Sequence, residues 1–178
     1  MLDLFEAKAA AVSAEVRRAA SPAAAVEVVL GVLERERVVD EPGARAVWCE
    51  GPILRGLLDH GALARRFPGL SFDVTRERAA ASRVGISEFD WALAATGTLA
   101  QDATDPRLRL VSTLPETHVA LVRVTSLLPD LECLLARVDP RKARYLACVT
   151  GPSRTADIER VLTIGVHGPR RLVVVSVG

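Results

Sequence analysis

The stretch 119-VALVRVTSLLPDLECLLARVDPRKARYLACVTGPSRTADIERVLTIGVHGPRRLVVVSV-177 decides the fold. Three of its segments, 119–124, 145–150 and 172–177, are short apolar runs bounded by turn-forming residues, the pattern of buried strands. Between the first two, Ser126 is placed to cap a helix striped by Leu127, Leu131, Leu134, Leu135 and Val138, with Pro140 after its end. Between the last two, Ile158, Val161, Leu162 and Gly165 share one helical face. Strand–helix–strand–helix–strand with strands apolar on both faces predicts an α/β fold, a mostly parallel sheet flanked by helices.

Outward from there the chain reads more loosely. Phe5, Ala9, Val12 and Val16 mark an amphipathic first helix. Ser21-Pro22 opens a second, carrying Ala25, Val29, Leu30 and Leu33. Together they form a helical lead-in over 1–38. The Asp40-Glu41-Pro42-Gly43 turn follows. A strand is expected at 45–50, a helix at 53–66 and a strand at 70–74. Residues 91–94 and 99–100 read as the arms of a bent strand or a hairpin around Thr96-Gly97-Thr98, and 108–111 as a short strand. No repeat and no long linker divides the chain, so 1–178 is expected to be one domain, with 80–178 its core.

Composition narrows the function classes. The 178 residues carry 23 basic and 22 acidic side chains, a net charge of +1. Such a balance argues against a nucleic-acid binder. All basic residues except Lys8 and Lys142 are Arg, whose planar fork suits carboxylate or phosphate. Cys49, Cys133 and Cys148 are odd in number and far apart in sequence. That fits a reducing cytoplasm better than a disulfide framework, and no ligand spacing for zinc or an iron–sulfur cluster is present. No apolar run is long enough for a membrane span, and Asp3 and Glu6 sit where a signal peptide would be basic.

Four segments could carry chemistry. Gly151-Pro152-Ser153-Arg154-Thr155-Ala156-Asp157 reads as a strand-end loop opening a helix. Lying beyond the carboxyl end of a parallel strand, it would offer Gly151, Ser153, Arg154, Thr155 and Asp157 to a small anionic ligand. The same residues also read as a well-capped helix with a surface ion pair. Thr96, Gly97 and Thr98 form a tight bend that either lines a pocket or simply turns a hairpin. Ser112 to His118 place Glu116 and His118 ahead of a buried strand, as a candidate acid/base pair or as structural residues. Gly165-Val166-His167-Gly168-Pro169-Arg170 reads as a helix end where His167 meets the dipole or a ligand.

The segments at 95–98 and 112–118, and above all 151–175, resemble the LUD-domain family, whose members include lactate utilization protein C. The resemblance implies a fold similar to the NagB/RpiA/CoA-transferase-like group. It also implies a cluster-free subunit working with iron–sulfur protein partners in the oxidation of L-lactate to pyruvate. Fold relatives that use ATP or sugar phosphates suggest a self-sufficient enzyme as the alternative. Many relatives have Glu before Thr-Gly-Thr, where this chain has Ala95. That departure keeps a non-catalytic interaction module in view, and nominates Glu88 or Asp90 as substitutes. The cofactor is left unknown.

Overall fold

The computed structural model describes residues 1–139, 141–155 and 163–178. Its centre is a sheet of six parallel strands. In chain order these are β1 (Glu15–Ala19), β2 (Arg45–Trp48), β3 (Leu70–Ser71), β4 (Ser82–Phe89), β7 (Thr117–Arg123) and β12 (Arg171–Val177). They lie side by side as β1-β12-β7-β4-β2-β3, and every neighbouring pair is parallel. A second sheet combines β5 (Trp91–Leu93), β6 (Thr98–Asp102), β8 (Leu127–Leu128) and β9 (Leu146–Val149) in the order β8-β5-β6-β9. A two-stranded ribbon pairs β10 (Arg154–Thr155) with β11 (Thr163–Ile164). The helices are α1 (Leu2–Ala11), α2 (Pro22–Arg35), α3 (His60–Arg66), α4 (Arg76–Ala80), α5 (Pro106–Thr113) and α6 (Leu131–Leu135).

Side-chain alternation along the parallel strands builds two cores. Val84, Ile86, Val119, Leu121, Val173 and Val175 face α2 and α3, where Ala25, Val29, Leu33 and Leu63 meet them. Phe89, Ala120, Val122, Leu172 and Val174 face the other way, onto Phe5 and Ala9 of α1 and Ala92 and Leu99 of the second sheet. A smaller cluster joins Val47 and Cys49 to Ala79 of α4 and Val111 of α5. The expected α/β architecture with a parallel sheet flanked by helices is what the chain adopts.

Several local expectations are corrected. The first helix stops at Ala11. Ser13 takes a left-handed φ of 71°, and Val16 belongs to β1 instead. The helix expected over 53–66 is confined to Asp59-capped α3, because the main-chain N–H groups of Ile53 and Leu54 bond the Glu88 carboxylate. Residues 108–111 lie in α5, which Asp105 caps and Pro106 opens. The helix expected behind Ser126 shrinks to α6, capped by Asp130. Residues 146–149 are not a core strand: β9 runs antiparallel to β6 in the second sheet and is only partly buried. Arg154–Thr155 and Thr163–Ile164 are strands, where a helix start and a helix end were expected. Pro140, Asp157, Ile158, Val161 and Leu162 lie outside the described residues.

Candidate functional site

The polarity of the sheet separates two edges. At the amino edge, the residues singled out from sequence come together. Arg154 Nη2 donates to the Val12 carbonyl at 2.6 Å and to Ser13 Oγ at 2.7 Å, just ahead of β1. The Ser153 amide donates to the Pro169 carbonyl at 2.9 Å, just ahead of β12. The Glu116 carbonyl accepts the amides of Arg170 and Arg171, while its exposed side chain lines a groove with His167 and Arg170. Thr98 Oγ1 lies 2.7 Å from Thr96 Oγ1 and 2.8 Å from Thr150 Oγ1. Gly97 and Gly151, both at positive φ, sit against the last turn of α1: a Cβ on Gly97 would strike the main chain of Lys8 and Ala9, and one on Gly151 the Val12 carbonyl.

Gly97, Gly151 and Arg154 thus hold the end of α1 at the amino edge, while Ser153 ties the same loop to Pro169. The expectation that this loop lies beyond the carboxyl ends of the strands is overturned, because β9 is not part of the parallel sheet. Ser112 is buried, with its hydroxyl turned back to the Arg109 carbonyl at 3.2 Å. Thr155 belongs to β10. His118 is fully buried, 2.9 Å from Ser87 Oγ through Nε2 and tilted against Phe89. Burial holds its imidazole neutral, with a pKa lowered to about 3. A histidine so placed neither meets a dissolved substrate nor exchanges protons near neutrality, which corrects the acid/base expectation for it.

The carboxyl edge holds a cleft of about 290 Å³ that the sequence reading did not place. It opens where β2 leads outward to β3 while β4 leads back toward β7. This is the switch point at which open parallel sheets bind ligands. Residues 49–53 after β2, Glu88 to Asp90 at the end of β4, Arg123 and Ser126 after β7, Gln101 and Asp102 of β6, and Asp105, Arg107 and Leu108 form its wall.

Its charges are unevenly committed. Arg107 grips Asp105, with Nη2 at 2.6 Å and Nε at 2.9 Å from Oδ2, and that pairing holds the Asp105 carboxyl below its ordinary range. Glu88 is buried and accepts the amides of Ile53 at 2.5 Å and Leu54 at 3.0 Å. Burial pushes its carboxyl above the usual range, opposed by those N–H groups and by the charge of Arg123. Partial burial also raises Asp90, which accepts the Asp102 amide at 2.8 Å. Burial raises the Cys49 thiol, so it is a poor thiolate nucleophile. Arg123 contacts only the Pro52 carbonyl, at 3.4 Å, and has no carboxylate partner among the described residues.

The arrangement suits an anion held by Arg123 beside two carboxyl groups that titrate above their ordinary range. Glu88 and Asp90, nominated from sequence, are here; Arg123 and Gln101 were missed. A lone Arg at the carboxyl end of an apolar run was the available signal for the first.

Comparisons place the chain among known proteins. A family model described as the LUD domain matches residues 2–177. Lactate utilization protein C of Exiguobacterium sp. is 34% identical over 111 residues, covering 59% of this chain and 48% of that protein. Lactate utilization protein C of Deinococcus radiodurans is 40% identical over 92 residues, covering 49% and 42%. The match thus covers less than half the length of each of these relatives. A crystal structure of a DUF162 family protein from Deinococcus radiodurans has the same fold, with a TM-score of 0.65, 22% identity, and coverage of 99% of this chain and 96% of that one.

Proposed function

The chain belongs to the LUD-domain family, and from that premise we propose that it serves lactate utilization by binding a small monocarboxylate in the carboxyl-edge cleft. It acts as one component of a system oxidising L-lactate to pyruvate, and partner proteins carrying iron–sulfur clusters accept the two electrons. The names of the curated relatives support the process. The uncommitted guanidinium of Arg123 at the switch-point cleft is the observation that carries the ligand reading.

Five acidic residues, Glu50, Glu88, Asp90, Asp102 and Asp105, share the wall with Arg107 and Arg123. That balance counts against a polyphosphate, hence against the ATP-using alternative, and leaves Arg123 to hold no more than one negative charge. Among the amino-edge residues, Gly97, Gly151 and Arg154 are assigned to seating α1, and Ser153, Thr96 and Thr98 to fastening the loops around them.

Titration of the full chain with L-lactate and pyruvate tests the reading. Arg123→Ala is expected to weaken binding about 30-fold or more, since truncating one partner of a charge-assisted pair costs roughly 2–5 kcal/mol. Arg154→Ala is expected to leave affinity unchanged and to cost about 1 kcal/mol of stability through its lost hydrogen bonds. The reverse pattern would move the ligand to the 151–155 loop. Copurification with an iron–sulfur protein tests the partner.

A further inference from the structure

We propose that Gln101 is the specificity-determining residue of the carboxyl-edge cleft, and that it selects monocarboxylates carrying a primary carboxamide at their far end. This rests on the reading of that cleft as a carboxylate site. Gln101 is 1% exposed and lines the cleft, and among the described residues neither its Oε1 nor its Nε2 has a hydrogen-bond partner. Buried side-chain amides are almost always paired, because an unpaired one forfeits its water without replacement. Its strand neighbours do not pair it: Leu99 and Ala100 precede it, Ala147 lies across the ladder in β9, and the Asp102 carboxylate that follows accepts from Thr104 instead.

The complement of this side chain is specific. Oε1 needs a donor and Nε2 needs an acceptor, side by side and in one plane. A primary carboxamide supplies both. An ionised carboxylate satisfies Nε2 but repels Oε1. Glu88 and Asp90 share the cleft wall with Gln101, so a second carboxylate brought to that end would meet a wall already rich in carboxyl groups. The anionic end goes to Arg123. The cleft volume of about 290 Å³ lies near the small end of ligand pockets, enough for such a two-ended molecule.

The experiment compares matched probes on the full chain by calorimetry. Oxamate is set against pyruvate, and succinamate against succinate. The amide member of at least one pair is expected to bind tenfold or more tightly than its partner. Gln101→Met should erase that preference and raise the Tm of the free protein, since the unpaired amide is gone. Carboxylate binding that depends on Arg123 but shows no amide preference overturns the proposal and leaves the cleft reading standing. A preference that survives in Gln101→Met, or a Tm that falls in it, also overturns the proposal. Binding indifferent to Arg123, or none at all, overturns the cleft reading together with it.

Discussion

Gly97→Ala is expected to cost about 3 kcal/mol or more and to detach α1 from the second sheet. Two effects add. Gly97 has φ of 68°, a conformation that costs a side-chain-bearing residue roughly 1–2 kcal/mol. The new methyl would also fall on the main chain of Lys8 and Ala9, where no rotamer can relieve it, and overpacking of this kind costs about 1–3 kcal/mol. Phe5 and Ala9, both fully buried on the inner face of α1, would be exposed as the helix lifts. Urea unfolding followed by circular dichroism measures the loss. Gly31→Ala, at a helical site where an added methyl meets nothing within 4 Å, is the control and is expected to be neutral or stabilising. A Gly97→Ala protein as stable as its parent would mean that the bend is not held against α1.

The second large effect is a loss of stability in acid that traces to His118. In the folded chain its imidazole stays neutral down to about pH 3. In the unfolded chain it takes up a proton near pH 6.5. Between those values the unfolded state binds more protons. The stability His118 contributes is therefore complete above pH 6.5 and drains away as the pH falls toward 3. Between pH 7 and pH 4.5 the loss amounts to about 3 kcal/mol. Glu88 and Asp90 act in the opposite sense. Their folded carboxyls are raised, so their contribution is present below the ordinary carboxylate range and is lost as the pH rises through the folded values. Comparing urea midpoints at pH 7 and pH 4.5 for the parent and His118→Gln isolates the histidine. The variant should lose markedly less on acidification. Equal losses would mean that His118 protonates in place.

The two edges of the sheet explain what could be read from sequence. The apolar runs at 119–124 and 172–177 are strands β7 and β12 at the centre of the fold, because strands covered on both faces must be apolar throughout. The central strand β4 went unread. Its sequence Ser82–Phe89 breaks the apolar pattern with Arg83, Gly85, Ser87 and Glu88. Each departure has a local cause: Arg83 donates to the Gly43 and Glu36 carbonyls, Gly85 admits the Val111 carbonyl and Pro115, Ser87 meets His118, and Glu88 meets the amides after β2. Residues 107–110 (RLRL) alternate as a strand would, yet Asp105 and Pro106 start a helix there. The cleft was invisible for a different reason. Its residues come from the segment after β2, the end of β4, β6, the start of α5 and the end of β7, stretches far apart in sequence that only the fold brings together. The residues that formed recognisable motifs in sequence instead fasten α1 at the opposite edge.

The pairing of β1 with β12 has a consequence for biosynthesis. Glu15 and Arg171, which bond each other across that ladder, are 156 residues apart. At about 5–20 residues per second, a ribosome needs roughly 8–30 s to make the stretch between them. During that interval the backbone of β1 has no partner strand. The helices on either side of it also lack their floor, since Leu172 and Val174 face the α1 layer and Val173 and Val175 the α2 layer. The nascent chain therefore emerges with an open strand edge and uncovered apolar faces, the state that holdase chaperones recognise. Slowed elongation between β1 and β12 would lengthen that exposure without changing a single contact of the finished molecule.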